Sequence, residues 1–274
     1  MNTPMEPSDS ICFECFFAVP PESPFHDLHP GNGPVWLALD RLARGLDQRI
    51  QVCRDSWPLP ASFHVDRWRN REGYDETVLS TVAGLFVTDD ITCPEFNLVI
   101  GKGTVIEPGV VIKPPLVVGR NTEIRQGAYI RGGVWIGDHC TVGHATEVKT
   151  AVFMNHTEAG HFAYVGDSIL GSYVNLGAGS KLANLPFRTQ EQKRLMAFPE
   201  FSVRLANQVV PTGKSKLGAI LGDGVEIGCN STLAPGTLVG KDSWIYPCLF
   251  VRSGYYPDRS ILKLHAATDL HQRR

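Results

Sequence analysis

This chain of 274 residues has no long apolar run, no excess of basic residues and no regular cysteine framework. No stretch approaches the roughly 20 apolar residues of a helical membrane span, so none is expected. Lys and Arg number 26 against 28 Asp and Glu, a formal net charge of −2. That balance points neither to nucleic acid nor to an anionic membrane surface. Residues 1–10 are polar and acidic and lack the basic-then-apolar order of a signal peptide. Seven scattered cysteines imply reduced thiols and a cytoplasmic location. Cys12 and Cys15 form a C-x-x-C without a second pair or a neighbouring His pair. The stretch Ile11–Phe17 around them reads as a short buried strand, with a metal or redox role as the alternative.

What the chain does have is a period. Aliphatic residues recur every six positions at Ile100, Ile106, Ile112, Val118, Ile124, Ile130, Ile136, Val142 and Val148. Gly follows several of them, as at Gly101, Gly119, Gly137 and Gly143. A period of six fits neither the 3.6 of a helix nor the 2 of a strand. It fits a triangular solenoid with one hexapeptide per side and 18 residues per coil. The register returns at Leu170, Leu176 and Leu182, and again at Leu221, Ile227, Leu233, Val239, Ile245 and Val251. A phase slip is expected between Met154 and Leu170, and a loop leaves the prism between Leu182 and Leu221. Such interruptions are where function is expected, because the coil itself does not need them.

The expected fold is therefore mainly β, a parallel β-helix of hexapeptide repeats over residues 91–254. Residues 1–90 lack the repeat and read as a small α/β cap over its open end, which must be covered. Within them, residues 34–51 predict an amphipathic helix, with Trp36, Leu39, Leu42, Leu46 and Ile50 on one face. Residues 186–216 form the inserted loop, and 255–274 predict a short closing helix.

The stretch from Gly160 to Leu185, GHFAYVGDSILGSYVNLGAGSKLANL, carries a resemblance. It resembles the acetyltransferase domain of the bifunctional N-acetylglucosamine-1-phosphate uridyltransferase/glucosamine-1-phosphate acetyltransferase family. It is more similar still to the archaeal-type sugar-1-phosphate nucleotidylyltransferase/acetyltransferase relatives, which share an Ala-Asn-Leu such as Ala183-Asn184-Leu185. The resemblance spans about residues 95–255. It implies a left-handed β-helix, a homotrimer with sites between subunits, and transfer of acetyl from acetyl-CoA to an amino-sugar 1-phosphate. It also implies a catalytic His at His161, sugar-phosphate ligands at Arg131, Lys149 and Tyr164, and substrate-binding Asn175 and Asn184. Residues 1–90 are too short for the family's nucleotidyltransferase domain and carry no Gly-rich loop followed by Arg. Uridylyl transfer is therefore not expected of this chain alone, which leaves room for a separate nucleotidyltransferase as partner.

Acetyl transfer to an amine needs a base, oxyanion donors and aligned substrates. His161 suits the base, since imidazoles titrate near neutrality; the alternative is a loop His satisfied by a neighbour. Tyr164 is three residues away and is expected in the same pocket. Arg131 and Lys149 stand 18 apart, one coil, so they stack and call for a bridging anion. Asn175 and Asn184 read as ligands or as rungs of an interior Asn ladder. Ala178, Gly179, Ala234 and Gly236 suggest a small-residue strip for a pantetheine arm, and Lys214, Lys216 and Arg252 suit its phosphates. His139/His144 and His156/His161, each five apart, allow a second reading as a γ-carbonic-anhydrase-like zinc enzyme. A third reading is a catalytically inactive binding or regulatory module on the same fold.

Overall fold

The computed structural model describes residues 11–52, 57–205 and 208–264. The chain is mainly β, and its centre is a parallel β-solenoid of about nine turns. Each coil contributes one inward residue per face. On the first face these run Ile100, Val118, Ile136, Phe153, Leu170, Leu221 and Val239. The second face has Ile106, Ile124, Val142, Ala159, Leu176, Ile227 and Ile245. The third has Ile112, Ile130, Val148, Val165, Leu182, Leu233 and Val251. None of these side chains is more than 2% exposed. Burying each Val, Leu, Ile or Phe among them contributes about 1.5–3 kcal/mol, so the column is the main stabilising feature.

The phase slip falls elsewhere than its expected place. Residues 17 apart, not 18, pair between Ile136 and Phe153 and between Phe153 and Leu170. Each of these two coils drops one residue at the corner from the third face to the first. There the backbone runs on as single strands, Glu147–Phe153 and Tyr164–Leu170. Thr150 and Asp167 turn those corners with left-handed φ of 47° each. Met154 is not a column residue; it lies in the apolar layer outside the first face.

The open end is closed as expected, and among the described residues the strands that close it lie within 63–93. The strand Asp75–Thr81, paired with Phe63–Arg69, lies antiparallel on Val111–Ile112 of the third face. Leu85–Phe86 lies on Val105–Ile106 of the second, and Ile91–Cys93 on Leu98–Ile100 of the first. One short strand per face thus pairs each exposed edge.

Residues 11–52 do something different from capping the end. Helices α1 (Phe13–Phe16) and α2 (Ala38–Val52) lie along the first face. Its outward residues Val99, Val117, Trp135, Val152, Ile169, Ile220 and Leu238 share one core with Phe13, Phe16, Trp36, Leu42, Leu46 and Ile50. Gly45 allows the close approach: a Cβ there would stand 2.9 Å from the Trp135 ring. Helix α2 confirms the predicted amphipathic stretch, with a one-turn 3₁₀ helix at Val35–Leu37 before it. The strand expected at Ile11–Phe17 is instead α1. One helical turn brings the Cα atoms of Cys12 and Cys15 to 5.3 Å, and the two form a disulfide. This corrects the expectation of reduced thiols for that pair; Cys93, Cys140, Cys229 and Cys248 are free.

The insertion is also ordered. It holds α3 (Gln190–Arg194), begun by a Thr189 capping box, and a hairpin of Phe201–Leu205 with Gln208–Lys214. Val203 and Leu205 join the first-face core, Trp36 Nε1 donates to the Thr212 carbonyl at 3.2 Å, and Lys214 pairs with Asp40. Beyond Val251 the described residues add strands Gly254–Tyr256 and Ile261–Leu262. The expected closing helix can fall only on 265–274, which lie outside the described residues.

Coil stacking makes some glycines irreplaceable. A Cβ at Gly143 would fall 1.6 Å from the Gly160 carbonyl oxygen, whereas at Gly84 the nearest atom is 3.9 Å away. Gly143→Ala should therefore cost at least about 1–3 kcal/mol, and Gly84→Ala under about 0.5 kcal/mol. Denaturant midpoints check this; equal midpoints for the two variants would contradict the stacking.

Candidate active site

The corner from the third face to the first gathers most of the expected polar residues. Arg131 follows the column residue Ile130, and Lys149 follows Val148 one coil on, so the expected stack is present. The two cations, however, already have acids. Arg131 Nη1 donates to Glu147 Oε1 at 2.7 Å, and Lys149 Nζ lies 3.5 Å from Asp167 Oδ2. Asn184 Nδ2 donates to the same Asp167 oxygen, and the Tyr164 hydroxyl donates to Asn184 Oδ1 at 3.3 Å. The expectation of unpaired charges needing an anion is corrected accordingly. Glu147 and Asp167 are the built-in counter-ions, the latter contributed by the shortened corner.

Gly166 makes this convergence possible. A Cβ there would stand 2.6 Å from the Tyr164 hydroxyl and 2.7 Å from Asn184 Nδ2. Burial pushes the Tyr164 phenol up, with the Glu147 and Asp167 carboxylates adding to the effect and Arg131 opposing it. Tyr164 therefore stays a neutral hydroxyl donor near neutral pH. Sequence reasoning missed Asp167 and Gly166 as site residues. Their signal was the adjacent Gly-Asp inside the same quoted stretch.

His161 stands at the other edge of the third face. It ends the strand Glu158–His161 on the second face and pairs with His144 one coil back. Its carbonyl accepts the Gly179 N–H at 3.0 Å. Its ring is exposed and forms no hydrogen bond with any described residue. Lys181 Nζ braces the turn after it, donating to the Phe162 carbonyl at 2.8 Å and the Gly179 carbonyl at 2.7 Å. The expected pocket shared by His161 and Tyr164 is thus not closed by direct contact within one chain. The third face carries His161 at one edge, Tyr164 across it, and Lys149, Asp167 and Asn184 at the other.

The remaining expected residues divide. Asn175 points outward from the second face and donates to Glu226 Oε2 at 2.9 Å, so the interior-ladder alternative fails for it. Ala178 and Gly179 lie at the His161 edge, while Ala234 and Gly236 follow Leu233 at the opposite edge. They are two short pieces and not one strip, and a Cβ at Gly236 would stand 2.7 Å from Val203 of the inserted hairpin. Lys214 is held by Asp40 and is not free for phosphates. The Lys216 ammonium lies 5.3 Å from the Phe198 ring centre and the Arg188 guanidinium 4.1 Å from it. Lys216 sits at the neck of the insertion, where Leu217 N–H donates to the Asn184 carbonyl at 3.0 Å. Arg252 is exposed.

The histidine pairs of the zinc reading separate onto two corners. His139 and His156 stack ring on ring at 4.9 Å, and His156 stacks on Tyr173 at 4.6 Å, both within 2° of parallel. His144 and His161 lie on the next corner. Among the described residues no three His, Cys, Asp or Glu side chains are gathered as a metal set.

The fold and this edge-to-edge arrangement define a hexapeptide-type β-solenoid with a polar site built on its third face. Residues 112–210 match the family model described as GMPPB C-terminal domain. The bifunctional sugar-1-phosphate nucleotidylyltransferase/acetyltransferase of Sulfurisphaera tokodaii is 38% identical over 106 residues, 39% of this chain and 24% of that protein. The bifunctional protein GlmU of Methanocaldococcus jannaschii is 36% identical over 104 residues, 38% of this chain and 23% of that protein. That of Methanococcus aeolicus is 32% identical over 173 residues, 61% of this chain and 40% of that protein. The chain therefore matches from about a quarter to two fifths of the length of these relatives, and the resemblance read from Gly160 to Leu185 stands.

The polar cluster predicts its own energetics. Asp167→Ala would leave the Lys149 ammonium and the Asn184 amide without their shared acceptor. It should cost about 1–3 kcal/mol in denaturant unfolding. An unchanged midpoint would show that Asp167 does not order this corner.

Proposed function

We propose that this chain transfers an acetyl group from acetyl-CoA to the amine of an amino-sugar 1-phosphate, such as glucosamine 1-phosphate or galactosamine 1-phosphate. The observation that carries this reading is the third face: cations and neutral donors at one edge, an exposed unbonded imidazole at the other. Arg131 and Lys149 hold the sugar phosphate, exchanging part of their contact with Glu147 and Asp167 for its oxygens. Tyr164 and Asn184 orient the sugar through hydroxyl and amide hydrogen bonds. His161 takes the proton from the ammonium, the amine attacks the thioester carbonyl, and the tetrahedral adduct expels the CoA thiolate, which is protonated. Ala178 and Gly179 border the His161 edge on the side where the acyl donor approaches. Arg252 and Lys216 supply charge for its phosphates, and Asn175 lines the second-face side.

The same reading includes a homotrimer. The N-terminal layer covers the first face, and no other described layer covers the second or the third. Trp244 and Ile261 on the second and Phe250 on the third are exposed large apolar groups. Closed three-fold packing of these faces buries them and sets His161 of one copy toward the third face of the next. A partner nucleotidyltransferase would use the acetylated sugar phosphate.

His161→Ala should keep the fold, since the side chain lies outside the column, and lower kcat by about 10²–10⁴. Full activity of the variant would sink the base assignment.

A further inference from the structure

Away from the third face, the N-terminal layer holds a cavity of about 380 Å³ between α2 and the one-turn 3₁₀ helix Pro24–Leu28. Arg41 and Arg44 enter it from α2 and His26 from the 3₁₀ helix, with Asp27, His29 and Gly31 completing the wall. Neither arginine, nor the His26 ring, makes a hydrogen bond or ion pair with any described residue. By contrast Arg67, Arg69, Arg120, Arg125 and Arg131 each have a carboxylate partner.

Two acids near this pair are already engaged. Asp40 holds Lys214, and Glu14 holds His29. Asp27 lines the cavity but makes no ion pair with either arginine. His29 has no capacity left. Its Nδ1 accepts the Gly31 N–H at 2.9 Å, so Nε2 carries the hydrogen and donates to Glu14. It is a fixed part of the wall. Two like charges three residues apart on one helix repel each other, and no hydrogen bond or ion pair with a described residue offsets them.

We propose that this cavity binds the phosphate group of a small molecule. Two guanidinium forks and an imidazole match several acceptor oxygens on one tetrahedral centre better than a single carboxylate. The volume falls in the range of small-ligand pockets. This inference does not rest on the acetyl-transfer reading, because none of its residues belongs to the third face.

The test is calorimetric titration at fixed ionic strength with inorganic phosphate, pyrophosphate and glucose 1-phosphate. It uses the full chain carrying Arg131→Ala and Lys149→Ala, so that the third-face cations do not contribute. One phosphate should bind per chain. Adding Arg41→Ala and Arg44→Ala should weaken it by at least about tenfold, with the thermal midpoint unchanged. Arg41→Lys with Arg44→Lys should weaken it less, since charge remains without the fork. Tighter glucose 1-phosphate would assign a phosphate ester, and tighter inorganic phosphate the free ion; either upholds the site. Equal affinity with and without Arg41 and Arg44 would overturn it. So would binding that chloride at the same ionic strength abolishes, since that marks diffuse charge alone.

Discussion

The structure depends on one constraint: every coil must deliver one apolar side chain inward on each of three faces. The unbroken column from Ile100 to Val251 satisfies it. Where a coil is one residue short, the column still keeps its register, and the deficit is taken up at a single corner. Phe153, the largest side chain in the column, stands in the same short coil as Ala159, one of the smallest. Constant total volume, and not constant residue type, is what the interior demands.

That corner is also where the polar cluster of the proposed site sits. Shortening it places Asp167 at the turn with left-handed φ, beside Gly166, where no side chain intrudes. Asn184 and Lys149 then share one acid, and the Tyr164 hydroxyl donates to Asn184. The N-terminal layer acts on the site from the far side. It covers the first face and, through Trp36 and Asp40, ties down the insertion that follows Asn184.

The solenoid was legible in the sequence because its period belongs to neither helix nor simple strand, and the amphipathic helix was legible from its buried stripe. Arg131 and Lys149 were placed on one edge by their 18-residue spacing, and the structure stacks them so. The shortened corners were harder to see, since losing one residue from a six-residue period looks like a loop. The path of residues 11–52 was hidden too. The outward residues Val99, Val117, Trp135 and Val152 are apolar, but only their alignment in space makes them a docking face. The small-residue strip failed for the same reason: Gly179 and Gly236 are alike in type yet lie at opposite edges.

In the proposed reading the third face gives each substrate group a partner: cations for a phosphate, neutral donors for a sugar, an imidazole without a described partner for an amine. Its central claim is tested most directly by CoA thiol release from acetyl-CoA with a panel of amino sugars, with and without a 1-phosphate. The account predicts release with glucosamine 1-phosphate or galactosamine 1-phosphate and little with the unphosphorylated sugars. No release with any amino-sugar phosphate would contradict it and leave a binding module on the same fold.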